Sequence, residues 1–295
     1  MEIQGLPQIS FSKSNIVDLE FEIFTLQNLF SRQNTINHSL EEPHRVKFYH
    51  IIFITEGKGF HNIDFHPYEY SEGDLIFVSQ GQVHSFDVKS GVDGQVLLFT
   101  ENFITKNLIH SDMLSFSRLY NYHIHQQRLP ADGAKEEKFA EIFGEIYQEY
   151  NNPDLFAKEE ILRSLLKLLL LKAERIQRTV GSQKKKSEWL IKFGILQNHL
   201  ANNYAITRNV SEYATMMGIS PKALNTICKS FSGGTAKEFI DNFVVLEIKR
   251  HLATSHRSVK ELTYEMGFNE PTNFVKYFKK HTGQTPALFK KTLLK

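Results

Sequence analysis

The sequence predicts an α+β fold: an amino-terminal β-barrel, a helical segment behind it, and an all-α carboxy-terminal domain of two helix-turn-helix units. Three observations carry this. Short β-branched and aromatic runs crowd residues 47–99, the apolar spacing turns helical after residue 135, and one pattern of helix caps and glycines occurs twice near the end of the chain. With 295 residues there is room for two domains of about 100–200 residues each. A content of 41% hydrophobic and 23% charged residues is that of a folded chain, not a disordered one.

The strands come first. His50–Ile54, Gly73–Val78 and Gln95–Phe99 are β-branched and aromatic, and turn signals at Glu56-Gly57-Lys58-Gly59 and Gln80-Gly81 separate them. Short strands at close spacing predict a barrel or a sandwich, and the phenylalanines concentrated here suit a core filled by large side chains. Next, Phe139, Ile142, Phe143, Ile146 and Tyr150 recur at helical spacing. A second helix is predicted over 158–176, where Ile161, Leu162, Leu165, Leu166 and Leu168–Leu171 cover more than one face. A helix against a single core needs only one stripe. Two readings follow: a helix held between two layers, or a homodimer contact through Leu162, Leu165, Leu166 and Leu169, symmetric dimers being the commonest oligomers. Residues 179–186 are polar, basic and aperiodic, and read as a linker. The boundaries are therefore 1–130 for the barrel, 131–178 for the helical dimerisation segment, 179–186 for the linker and 187–295 for the helical domain.

Charge is divided unevenly. From Lys184 onward there are 18 Lys/Arg against 8 Asp/Glu, a net of +10, while residues 1–183 hold 17 against 25, a net of −8. This asymmetry points to a polyanion-binding module joined to something else, since clustered cations attract DNA phosphates and release their counterions. The longest leucine block, Leu168–Leu171, lies between Lys167 and Lys172, far short of the ~20 apolar residues of a membrane span. The opening residues show no basic-then-apolar leader, and the single Cys228 excludes an intramolecular disulfide or a cysteine zinc cage. A cytoplasmic protein with no membrane partner is expected.

The basic half repeats itself. Asn209-Val-Ser-Glu212 and Ser258-Val-Lys-Glu261 both read as capping boxes. Each starts a short helix that ends at a glycine, Gly218 or Gly267, the residue suited to positive φ at a helix C-terminus. An apolar residue follows, then a new N-cap, Ser220 or Asn269, with Pro221 at N1 and Pro271 in the first turn. The offset is 49 residues up to the turn and 50 after it, so that Cys228-Lys229 matches Phe278-Lys279. A helix over 237–252 joins the units, with Phe239, Ile240, Phe243, Ile248 and Leu252 inward. In such a unit the first helix braces the second, which lies in the DNA major groove.

Residues 187–292 resemble the DNA-binding domain of the arabinose-regulator (AraC/XylS) family of transcription factors. The match is carried by Val259-Lys-Glu-Leu-Thr-Tyr-Glu-Met-Gly-Phe268, Phe274-Val-Lys-Tyr-Phe-Lys279 and Thr282-Gly-Gln-Thr-Pro286, with Val210–Lys229 as a looser copy. Tyr49–Gly59 and Gly73–His84 are similar to that family's regulatory cupin barrel. The resemblance implies sequence-specific reading of double-stranded DNA, with each unit in one of two adjacent major grooves. It also implies a homodimer, control by a small-molecule effector, and RNA polymerase as a partner if the protein activates. Departures from the family pattern stand at Thr226, Cys228, Phe243 and Ile248.

Carried over position by position, the resemblance puts Lys222, Asn225 and Thr226 of the first unit and Thr272, Asn273 and Lys276 of the second at base edges. Asn suits adenine, Lys suits guanine, and Thr suits a base or the thymine methyl. Ser220, Lys229, Lys279 and Lys280 are expected at phosphates, which position without specifying. Leu224, Ile227, Phe274 and Phe278 face the core.

The alternative is a cupin metalloenzyme with a helical accessory domain. Nine of the 13 histidines lie in the amino half, among them His44, His50, His61, His66 and His84. A catalytic metal needs three ligands and an open position. The only H-x-H, His123-Ile-His125, lies beyond the barrel strands, so no metal, cofactor or catalytic residue is expected. His44, Tyr49, Phe53, His61 and His84 are instead expected to line an effector pocket, a barrel of this size holding one small ligand.

Overall fold

The computed structural model describes residues 8–9, 11, 19–31, 39–88, 91–106, 127–131, 138–180, 187–254 and 257–293. The chain forms two compact units that divide at Gln183.

In the first unit the described strands are β1 (Gln8–Ile9), β2 (Phe21–Thr25), β3 (His44–Val46), β4 (Tyr49–Glu56), β5 (Lys58–Ile63), β6 (His66–Ser71), β7 (Leu75–Val78), β8 (Val83–Phe86), β9 (Asp93–Phe99) and β10 (Arg128–Leu129). They pair into two five-stranded sheets, β1-β3-β8-β5-β6 and β10-β7-β4-β9-β2. The expected cupin-like barrel takes the form of two facing sheets, whose ladders do not join among the described residues. One edge of each sheet is a two-residue strand, β1 or β10; the other edges are β6 and β2.

The second sheet is covered on both faces. Ile52, Ile54, Ile76, Val78, Val96 and Leu98 pack between the sheets; Ile51, Phe53, Leu75, Phe77, Leu97 and Phe99 pack outward against helices. Double coverage explains why these strands read as continuous apolar runs and not as alternating ones. Successive side chains on a strand point to opposite faces, and this decides the expected pocket residues. Tyr49 stacks on Phe99 with centroids 5.6 Å apart, and Phe53 on Phe143 of the covering helix at 5.1 Å. Both belong to the outer face, not to the space between the sheets.

The short helices are α1 (Leu26–Ser31) and α2 (Glu101–Thr105). The covering layer is α3 (Phe139–Asn151) and α4 (Lys158–Val180). Lys158 Nζ turns back to donate to Tyr150 O at 3.0 Å, a cation at the carbonyl end of α3. Arg163 Nε donates to Phe103 O at 2.9 Å and ties α4 to α2. Leu162, Leu166 and Leu169 are fully buried against the sheet, and Leu165 is half-buried at the edge of the same cluster. The expected dimer leucines are therefore core, because α4 turns that stripe toward β-strands. The apolar residues that α4 leaves exposed are Ile161, Leu168 and Leu171. The helix continues to Val180, two residues into the expected linker; 181–186 and His123-Ile-His125 lie outside the described residues.

The second unit is helical: α5 (Ser187–Asn203), α6 (Val210–Met216), α7 (Pro221–Ser232), α8 (Ala236–Thr254), α9 (Val259–Glu265), α10 (Pro271–Thr282) and α11 (Pro286–Thr292). The joining helix α8 is buried nearly all round, through Phe239, Ile240, Phe243, Val244, Ile248 and Leu252 among others. Phe243 and Ile248, the two departures on this helix, are both core. Phe193 of α5 packs on Phe231 and Phe239, with centroids 5.1 and 4.8 Å away. Among the described residues no helix is long and apolar enough to cross a membrane.

Candidate nucleic-acid interface

Each helix-turn-helix unit is assembled from local signals. In the first, Asn209 caps α6 by accepting from Ser211 N, the N2 amide, at 2.9 Å, and Asn209 N donates to Thr207 Oγ1; neither bond of the expected box with Glu212 is formed. Gly218 turns the chain at φ +63°. Ser220 Oγ then accepts from Ala223 N at 3.2 Å, with Pro221 at N1 of α7. In the second unit the box is complete: Ser258 Oγ accepts from Glu261 N at 3.2 Å, and the Glu261 carboxylate accepts from Ser258 N at 2.8 Å. These bonds hold the Glu261 carboxyl below its ordinary pKa. After Gly267, the cap of α10 is Glu270 and not Asn269, because Pro271 takes the N1 position; the Glu270 side chain makes no capping bond.

The second helix of each unit has two distinct faces. On α7, Leu224, Ile227, Cys228 and Phe231 are buried, and Lys222, Thr226 and Lys229 are exposed. On α10, Phe274 and Phe278 are buried, and Thr272, Asn273, Lys276, Lys279 and Lys280 are exposed. The outer faces thus gather cations, an amide and hydroxyls, the groups that meet phosphates and base edges. Thr226 Oγ1 donates to Lys222 O at 2.9 Å, which leaves its methyl and oxygen lone pairs outward. Asn225 differs from the expectation. It is half-buried, and its Oδ1 accepts from Ala236 N at 3.0 Å, capping the start of α8. Its oxygen serves the joint between helices. The buried Cys228 thiol, pushed up to about 12 by burial, is unreactive.

Between the two sheets of the first unit, His44, His50, His61 and His84 come together. Centroids of the His44 and His50 rings lie 4.3 and 4.8 Å from that of His84. His61 Nε2 and His84 Nδ1 share a hydrogen bond of 3.0 Å, and His44 Nδ1 donates to Glu42 O at 3.0 Å. Burial first, then the neighbouring His44, lowers His61 to about 3; burial, His44 and His61 hold His50 well below its ordinary value. His50 and His61 are therefore held in the neutral form at ordinary pH, inside a packed group of four rings. Alternation along β4 would have found His50: a strand that sends Tyr49 and Phe53 one way sends His50 the other. Among the described residues, no group of three or more His, Cys, Asp or Glu is disposed to hold a metal ion.

Both units match models of known domains. Residues 213–292 match a helix-turn-helix domain model, and residues 29–166 match the model of the AraC-like ligand binding domain. The chain is 22% identical over 245 residues to the HTH-type transcriptional activator RhaS of Pectobacterium atrosepticum, covering 82% of this chain and 85% of that one. It is 20% identical over 250 residues to the HTH-type transcriptional activator RhaR of Cronobacter sakazakii, covering 84% and 86%. Among solved structures, ToxT of Vibrio cholerae with a bound unsaturated fatty acid aligns over 92% of this chain and 91% of its own, at 12% identity and a TM-score of 0.44.

Proposed function

Because the chain belongs to the AraC-type family of DNA-binding transcriptional regulators, we propose that it reads a two-part operator, with α7 and α10 in successive major grooves. The observation that carries this reading is the pair of exposed polar and cationic helix faces on a repeated, glycine-turned scaffold. Lys222 and Thr226 are assigned to base edges in one groove, and Thr272, Asn273 and Lys276 in the other. Ser220, Lys229, Lys279 and Lys280 are assigned to phosphates; Ser220 accepts its capping bond and still has a hydroxyl proton to donate. Asn225 is moved from reader to brace, because its oxygen is taken by Ala236 N.

The ligand-binding domain is assigned a small-molecule effector. Its assigned contact is the inter-sheet cluster of His44, His50, His61 and His84; Tyr49 and Phe53 support the outer face instead. An effector acts only through different affinities for two arrangements of the protein. The exposed Ile161, Leu168 and Leu171 of α4 take over the homodimer contact from the buried leucines. The protein acts in the cytoplasm, and RNA polymerase is a partner if it activates. Relatives named as transcriptional activators support a regulator without a catalytic step.

The test is selection of the full chain on a randomised DNA pool across a salt series. Two short elements about one helical turn apart, with a steep salt slope, are expected. Salt-dependent binding that enriches no sequence would leave only a basic surface and would overturn the reading.

A further inference from the structure

We infer that Arg208, in the loop between α5 and α6, is a positioning residue that locks the two helix-turn-helix units at one separation and so sets the operator spacing the protein accepts. The inference rests on the reading that both units enter DNA.

The loop that leads into the first unit reaches across to the turn of the second. Arg208 Nη2 donates to Gly267 O at 2.7 Å and Nη1 to Met266 O at 3.4 Å. Its guanidinium carbon lies 3.8 Å from the Phe268 ring centroid and 5.9 Å from that of Tyr277. A planar fork that bonds two carbonyls and stacks on an aromatic face is an arrangement lysine does not reproduce. The side chain is half-buried, and desolvation lowers its pKa. Both terminal nitrogens donate to backbone carbonyls of the second unit.

Both ends of this tie are anchored. On the first unit, the fully buried Tyr213 of α6 donates from its hydroxyl to Thr207 O at 3.0 Å, and Asn209 N donates to Thr207 Oγ1 at 3.1 Å. On the second, Tyr277 of α10 donates to Asp241 Oδ1 of α8 at 2.9 Å; Lys237 pairs with the same carboxylate, and His281 Nε2 lies 3.8 Å from its other oxygen. At the centre, Gly267 is pressed on Ala205: at φ +71°, a Cβ there would stand 1.6 Å from Ala205 O. The joining helix α8, buried along its length, couples the two units; the Arg208 tie is a second coupling between them and restrains their rotation about that helix. DNA turns once in about 10–10.5 base pairs, so moving one element by one pair rotates it by about a tenth of a turn. A rigid pair of units rejects that displacement.

The experiment uses the full chain and the operator that selection yields, with the second element shifted by one and two base pairs in either direction. Binding is followed by fluorescence anisotropy, and folding of each variant by its thermal unfolding. The wild type is expected to lose about tenfold in affinity for a one-pair shift, comparable with a mismatched base pair. Arg208→Ala should stay close to wild type at the original spacing and lose only about twofold to threefold on shifting. Arg208→Lys, which keeps the charge without the fork or the stack, should show the same flattened profile and remains informative if the alanine variant does not fold. Restoration of the sharp profile by Lys would make Arg208 a charge acting on DNA and overturn the inference; so would an unchanged profile in both variants. If scrambling the second element costs the wild type nothing, the two-groove reading itself fails, a result distinct from either.

Discussion

The two helix-turn-helix units share a backbone plan and differ in what holds and what reads. The first has a cap at Asn209 that reaches only the N2 amide, a cysteine where its repeat partner has Phe278, and an asparagine on its second helix that braces α8. The second has a complete box at Ser258 and Glu261, a buried phenylalanine pair on α10, and three exposed lysines against two on α7. The second unit has the larger buried pair, Phe274 and Phe278, yet both lean on neighbours: the first through Asn225 on α8 and Phe231 on α5, the second through Tyr277 on α8 and Phe278 on Phe289 of α11. Duplicated local signals therefore do not impose duplicated roles, because the joining helix meets the two copies on different sides.

Four measurements sharpen or break this contrast. Phe278→Ala should cost about 3–5 kcal/mol in urea unfolding, and Cys228→Ala, at the matching position, about 1 kcal/mol; equal losses would end the claim that the second unit is the better packed. Asn273→Ala should cost about 1–3 kcal/mol of binding at one base position. Asn225→Ala should lower stability by about 1 kcal/mol, for the lost hydrogen bond, and leave base preference unchanged. Selection on matched DNA pools separates the two asparagines, and altered base preference in the Asn225 variant would return that residue to the readers. Replacing Lys279 and Lys280 together by Ala should shallow the slope of log affinity against log salt by about 2, and Lys229→Ala by about 1, with sequence preference intact in both cases. Last, Ser258→Ala should cost about 1 kcal/mol and Asn209→Ala less, since only one of the two caps is reciprocated. Comparing the thermal midpoints of these two variants checks it.

Much of the carboxy-terminal unit was legible residue by residue. Ser220 and Ser258 mark helix starts, Gly218 and Gly267 mark turns, and the apolar positions of α7 and α10 face inward as their spacing says. The amino-terminal unit was legible as strands and not as faces. His44, His61 and His84 lie between the sheets, while Tyr49 and Phe53 turn to the outer face; on β4 the one buried polar residue that marks the faces is His50, which alternates with them. The leucines of α4 posed the same problem: the sequence shows two apolar faces, and only the sheet reveals that Leu162, Leu166 and Leu169 take the buried one. Arg208 was illegible altogether, a single basic residue in a loop whose partners lie about sixty positions away.

By itself, then, the chain determined its two-domain division, its charge asymmetry, its strand and helix periods, and the caps and glycine turns of the repeated units. These depend on interactions within a few residues, where backbone geometry and side-chain hydrogen bonding act locally. The tertiary structure alone decided which face each doubly apolar element buries, the gathering of His50 with three other histidines, the diversion of Asn225 to Ala236, and the Arg208 tie. Each of these depends on which distant segment packs alongside, and a contact across many residues leaves no periodic trace in the sequence that forms it.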